Sequence, residues 1–175
     1  MLQCPIARTL ERVGEWWSIM ILRDAMMGMT RFEQFQKSLG ISPNMLSSRL
    51  GTLVEHGFLK KHVYSESPMR LEYRLTDRGH NFEPIILAMS HFGNAEFADE
   101  GLASVLVCRS TGKEADVAII DQKTGQEITW PEYILVPGPV ASPAMKSSLG
   151  FAEEMAAARA PRKKVSSPRT PSKAR

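Results

Sequence analysis

The chain has 175 residues, 43% of them hydrophobic and 23% charged, with two cysteines and a net charge of +3. That size predicts about one domain plus extensions, with enough apolar residues to bury a core. No apolar run approaches the roughly 20 residues of a membrane-spanning helix, and Met1 to Arg12 lack the apolar segment and cleavage site of a secretory signal. Cys4 and Cys108 make neither a disulfide framework nor a CxxC zinc motif, so a reducing cytoplasm is expected.

The small net charge hides an asymmetry. Residues 1–80 carry 11 Lys and Arg against 8 Asp and Glu, residues 81–155 carry 4 against 11, and residues 156–175 carry 7 with no acid. The first and last segments suit a polyanionic partner and the middle does not. Solvated surface charge and a solubilising tail would give the same counts.

The spacing of Ile6, Leu10 and Val13 predicts a helix with Pro5 in its first turn, ended near Gly14. Trp17, Ile21, Leu22 and Ala25 mark a second helix, closed near Gly28. Thr30 is the expected cap of a third, with Glu33 as its capping-box partner and Phe32, Phe35 and Leu39 as its buried stripe. Gly40 suits a left-handed helix end, Ser42 an N-cap and Pro43 a first helical position. The helix so started buries Leu46, Leu50, Leu53 and Val54. It shows Asn44, Met45, Ser47, Ser48, Arg49 and Thr52 on its other face, until Gly57.

Residues 58–64 and 70–75 read as two strands around a Ser/Pro turn, with Val63, Leu71, Tyr73 and Leu75 at period two. Thr76 caps the next helix. Phe82, Ile85, Ile86, Met89, Phe92 and Phe97 form an apolar stripe, with Pro84 marking a bend or restart. Residues 102–136 read as three short strands, and Ser110-Thr111-Gly112 is echoed 13 residues later by Lys123-Thr124-Gly125, as hairpin turns with positive-φ Gly. Residues 137–148 read as linker, residues 151–160 as a short helix, and the basic remainder as disordered.

The expected fold is therefore mainly α with small β: a winged helix-turn-helix and dimerisation domain over 1–100, a β-hairpin extension over 101–137, and a linker with a basic tail over 138–175. A major groove about 12 Å wide accepts one α-helix. Small polar residues on its leading turns allow close approach, Asn can pair with adenine and Arg with guanine. This singles out Ser42, Asn44, Met45, Ser47, Ser48, Arg49 and Thr52, with Lys60, Lys61 and Arg70 of the wing for backbone or minor groove.

Cys4-Pro5-Ile6, Gly14, Trp17, Ile21-Leu22-Arg23, Arg31-Phe32, Gly40-Ile41-Ser42, Leu46-Ser47-Ser48-Arg49-Leu50 and Tyr73-Arg74-Leu75-Thr76-Asp77-Arg78-Gly79 occur in order. In these motifs the chain resembles the HxlR-type regulators, near the MarR group, over about residues 4–98. The resemblance implies a cytoplasmic homodimer that binds operator DNA through the 42–52 helix and the wing. It adds Arg31 to the DNA-binding set. It also implies a dimer interface from the N-terminal helix and the 82–98 helix, through Ile6, Leu10, Phe82, Ile85, Ile86, Met89 and Phe92. Cys4, near a helix start that favours a thiolate, is the position some relatives use as a redox switch; a packing role near the dimer interface is the other reading. Three departures stand out: Trp16 replaces the family's Lys, Cys108 stands alone where some relatives carry a Cys-bearing knuckle, and the basic tail is atypical.

His56, His62, His80 and His91 share no ligand motif, and no phosphate loop or nucleophile elbow occurs. No catalysis, cofactor, metal or membrane partner is expected, and no effector is indicated. A winged-helix module that binds protein instead of DNA is the alternative.

Overall fold

The structure, a computed structural model, describes residues 4–157; the expected basic tail lies largely outside them. The chain divides into two compact units between Ile86 and Leu87.

The first unit contains α1 (Pro5–Val13), α2 (Trp16–Met26), α3 (Phe32–Leu39), α4 (Pro43–Glu55), β1 (Leu59–Glu66), β2 (Met69–Leu75), α5 (Asp77–His80) and the start of α6 (Glu83–Glu96). Its core joins Val13, Ile21, Leu22, Phe35, Leu46, Leu50, Leu53, Phe58 and Leu59 to Phe82 and Ile86. Hydrophobic burial from five helices and the wing base thus fixes the arrangement. Gly40 ends α3 in the left-handed region, and the Ser42 hydroxyl accepts from Met45 N to start α4.

The cap of α3 differs from expectation. Arg31 is the N-cap residue, and the Gln34 side-chain carbonyl accepts from both Arg31 N and Thr30 N. Thr30 instead turns its hydroxyl to Glu72 Oε2, 3.2 Å away. Its carbonyl accepts from Tyr73 N at 2.7 Å, and Arg31 bridges to Glu72, so the α3 connector lies along β2 and is joined to it by a single bridge.

β1 and β2 pair antiparallel from Leu59↔Leu75 to Glu66↔Met69, with a bulge between Val63 and Ser65. The turn after β2 explains the Thr-Asp-Arg-Gly motif. The Thr76 hydroxyl accepts from Gly79 N and donates to Gly57 O at 2.6 Å. Arg78 Nη1 donates to His56 O at 2.5 Å. A Cβ on Gly79 would lie 2.4 Å from Phe58 O, so only glycine lets α5 close on the wing base. The chain then restarts as α6 with Pro84 in the first turn, where its missing N–H costs nothing.

The second unit holds the rest of α6, two tight turns and α7 (Pro143–Ala157). The three expected strands do not form among the described residues; each turn closes on a single bridge, Val107↔Glu114 and Ile120↔Glu127. The echo is real at the level of hydrogen bonds. Cys108 N donates to Lys113 O and Asp121 N to Gln126 O; Ala115 N donates to Leu106 O and Ile128 N to Ile119 O. Gly112 and Gly125 both have positive φ. Residues 143–148, expected as linker, belong to α7. The Ser142 hydroxyl accepts from Met145 N and Pro143 opens the helix, the same Ser-Pro start that opens α4.

Candidate nucleic-acid interface

The three leucines at the core of α4 are fully buried, which fixes which face the helix can offer. Asn44, Met45, Ser47 and Ser48 are exposed on that face. Ser42 serves as the cap. Thr52 is half-buried and returns its hydroxyl to Ser48 O at 3.1 Å, a bond internal to the helix.

Arg49 is held by its own protein. Its Nε lies 3.2 Å from Glu15 Oε2, and its side chain is 27% exposed. The pair is close in distance but off the hydrogen-bond direction, leaving Nε buried without a hydrogen-bond partner. Glu15 also caps α2, accepting from Trp17 N at 3.1 Å. A carboxylate at a helix N-terminus thus reaches α4, a link the sequence reading missed. Its only signal was an acid in the cap position after Gly14.

In the wing, Lys60 pairs with Arg74 and Lys61 with Tyr73; adjacent in sequence, the two lysines leave opposite faces of β1. Arg70 is exposed opposite Ser65, near the wing tip. The Arg31 guanidinium sits 4.7 Å above the Tyr64 ring, so Arg31, expected among the DNA-binding residues, is braced on the bulge of β1.

Glu72 was invisible to the period-two reading, which assigned its alternate face to solvent. It is buried, and its carboxylate meets Arg74, His62 Nδ1 at 3.2 Å and Thr30. The Arg74 hydrogen bond, followed by those of Thr30 and nearby charges, holds this carboxyl below its ordinary 4.5 against the opposing effect of burial. Glu72 therefore ties the base of the wing to the start of α3.

The residues expected at a dimer interface separate into two groups. Phe82 and Ile86 lie in the core of their own chain and are not available to a partner. Ile6, Leu10, Ile85, Met89 and Phe92 are between 44% and 64% exposed. Cys4 is the half-buried N-cap residue of α1. Cys108 is exposed, because its segment forms a turn. Among the described residues no His, Cys, Asp and Glu cluster could hold a metal, and no helix is long and apolar enough to cross a membrane.

The HxlR-like helix-turn-helix family matches residues 12–100 of this chain. This chain belongs to that family. It is 38% identical over 144 residues to Rv3095 of Mycobacterium tuberculosis, itself an uncharacterised HTH-type transcriptional regulator, spanning 82% of this chain and 91% of that one. Among solved structures it matches PA1374 of Pseudomonas aeruginosa, a candidate transcription factor, with 41% identity and a TM-score of 0.61 over 83% of this chain and all of that one. The redox regulator HypR in its reduced form matches at 30% identity and a TM-score of 0.52, over 54% of this chain and 95% of that one. The protein is a transcriptional regulator of the helix-turn-helix type, built from helices and a small antiparallel wing. The HypR match covers 54% of this chain, whereas the PA1374 match covers 83%.

Proposed function

We propose that this HxlR-family regulator acts in the cytoplasm as a homodimer that binds double-stranded operator DNA and controls nearby genes. The observation that carries this reading is the exposed face of α4. It is a helix locked by a Ser cap and three buried leucines, offering Asn44, Ser47 and Ser48 beside a wing bearing Lys60, Lys61 and Arg70. A two-fold axis near α1 and α6 would bury Ile6, Leu10, Ile85, Met89 and Phe92 and set two recognition helices one DNA turn, about 34–36 Å, apart.

Arg49 enters this reading as a residue that DNA must take from Glu15. The fork of Arg49 turns to a base or a phosphate when the groove arrives, and Glu15 holds it in place beforehand. Genome-wide mapping of bound DNA supplies the operator, and fluorescence anisotropy on that duplex then tests the site. Arg49→Ala lowers operator affinity by about 1–3 kcal/mol if the contact is bidentate to a base, and the same loss on random DNA identifies a phosphate contact. Glu15→Gln raises affinity, because a competing carboxylate is gone. Operator binding that is indifferent to both substitutions, and to Asn44→Ala, would leave α4 without a role in DNA and favour the protein-binding module.

The HypR likeness supports a redox input, for which Cys4 is the residue proposed. It sits where α1 begins, so its oxidation would act on the helix expected to set the dimer angle. Identical operator binding by Cys4→Ser and the unaltered protein, with and without peroxide, removes that input.

A further inference from the structure

The first unit carries a cavity that the DNA reading does not use. Its volume is about 410 Å³, and α1, the start of the wing, α5 and the start of α6 all contribute to it. Phe58, Phe82 and Ile85 supply the apolar lining. The two phenylalanine rings pack edge to face with centroids 5.9 Å apart, and both side chains are otherwise buried in the core.

The charged lining has one sign. Arg8 and Arg12 come from α1 and Arg78 from α5, and no acid lines the cavity among the described residues. Arg8 and Arg12 stand one helical turn apart, a spacing at which like charges repel. Arg12 Nη1 donates to Arg8 O at 2.6 Å and Arg78 Nη1 to His56 O at 2.5 Å. A guanidinium has five N–H donors, so Arg12 and Arg78 are steered by these bonds and keep donors for a further acceptor. The nearby acids compete weakly. Glu11 Oε2 is 3.8 Å from Arg12 Nη1 in a solvent-exposed pair, and Glu83 is taken by His80 Nδ1 at 2.8 Å.

We propose that this cavity binds a small organic anion, a carboxylate carried on an aromatic body. The size suits such a ligand, since small-molecule pockets run to about 300–1,000 Å³ with an apolar lining and a few convergent polar groups. A carboxylate matches the guanidinium fork, two oxygens to two N–H donors. An aromatic ring meets the Phe58 and Phe82 rings. An inorganic anion would leave the apolar lining wet, and a neutral aromatic would leave the cations without a counter-charge. A duplex phosphate would use the arginines and leave Phe58, Phe82 and Ile85 unaddressed. The proposal rests neither on operator binding nor on the Cys4 input.

The test is amide NMR on the isotope-labelled full chain, titrated to about 5 mM. The probes are benzoate, phenylacetate and indoleacetate, their neutral alcohols, and inorganic phosphate. At least one carboxylate is expected to shift the Thr9, Arg12, Asn81 and Ile85 amides saturably, with Kd below about 1 mM. Its ring protons should give NOEs to the Phe58 and Phe82 side chains. The matching alcohol and phosphate should each bind about tenfold more weakly or worse, since each meets half of the lining. Arg8→Gln with Arg12→Gln changes two exposed residues outside the core. It should raise the carboxylate Kd about tenfold while the core amides keep their positions, which shows that the fold is kept. The NOEs on the unaltered protein stand even if that variant fails to fold. Absence of saturable shifts at these amides with all three carboxylates would overturn the site. Equal binding of the alcohol, or an unchanged Kd in a folded double variant, would do so too. A double variant that loses affinity for random DNA, in a protein that binds none of the carboxylates, would assign the arginines to DNA phosphates instead.

Discussion

Residues 4–86 bury thirteen apolar residues, from Val13 to Ile86, while no described residue from Leu87 to Met155 is buried. Both regions obey local rules equally well. Ser42 and Ser142 cap their helices in the same way, and both turns of the second unit close their hydrogen bonds. The difference is that α2, α4 and the wing meet one another, whereas the turns and α7 bury nothing. Local geometry can be complete without a core, but stability cannot, because ordering a chain costs about 1–2 kcal/mol per residue that burial must offset.

The widest gap between the regions should appear on truncating a buried and an exposed aliphatic residue. Leu50→Ala removes a fully buried side chain at the centre of the first unit. It is expected to destabilise by about 2–5 kcal/mol, at every protein concentration, measured by urea unfolding followed by tryptophan fluorescence. Ile120→Ala, at a residue 46% exposed, should cost less than about 0.5 kcal/mol. A large effect of Ile120→Ala would break the contrast.

The next effect lies within the first unit, at Glu72. Glu72→Gln keeps the shape but removes the charge that Arg74, His62 and Thr30 address, and should lower stability, read by urea unfolding. The pH dependence has a definite sign. The folded pKa lies below 4.5, so the contribution is fully present above the unfolded value and is lost as pH falls through the folded one. The unaltered protein should lose wing stability as pH drops below about 4.5, and Glu72→Gln should lose less over the same range. Parallel acid titrations of the two proteins would show that Glu72 does not anchor the wing.

Most of the first unit was legible because its punctuation is local. Gly40, Ser42-Pro43 and the leucine spacing of α4 each act within one turn of chain. The exposure of Asn44, Ser47 and Ser48, the residues proposed to meet DNA, followed from the same spacing. What escaped was long-range: Glu15 reaching Arg49, Gln34 displacing Glu33 at a cap because Thr30 turns to Glu72, and Glu72 buried where the Thr30–Arg31 connector bridges to β2. Period two assigns faces on the assumption of a two-stranded ribbon, and the Thr30–Arg31 connector along β2 violates that assumption. The second unit misled for a related reason. Val105–Val107 and Val117–Ile120 have strand composition, but strand propensity reports packing against neighbours, and among the described residues these segments meet only the other arm of their own turn and are not buried.

The smallest effect on stability, and the finest contrast, concerns two equivalent positions of the repeat. Cys108 and Asp121 each open a turn of the same hydrogen-bonded frame, 13 residues apart. Asp121 accepts from Lys123 N and the Thr124 hydroxyl, both at 3.0 Å, and is held below the ordinary carboxylate value chiefly by that Lys123 amide. Cys108 stands where that anion stands. Ser110 Oγ lies 3.2 Å from its sulfur, and the Ser110 hydroxyl, followed by Thr111, lowers the thiol pKa from 9.0 to about 6. A turn built to receive an anion thus favours thiolate, which is the nucleophilic form. At pH 7 iodoacetamide should label exposed Cys108 before half-buried Cys4, with peptide mass spectrometry reading the order. The Cys108 rate should fall as pH drops through about 6, because protonation removes the nucleophile. Ser110→Ala should slow labelling at pH 7, since it removes the largest stabiliser of the anion. Cys108→Asp should abolish it while leaving the urea midpoint unchanged, as the carboxylate reproduces what Asp121 does one repeat later. A Cys108 rate that keeps climbing between pH 7 and pH 9, as an ordinary thiol's does, would mean that the turn does not treat the two positions alike.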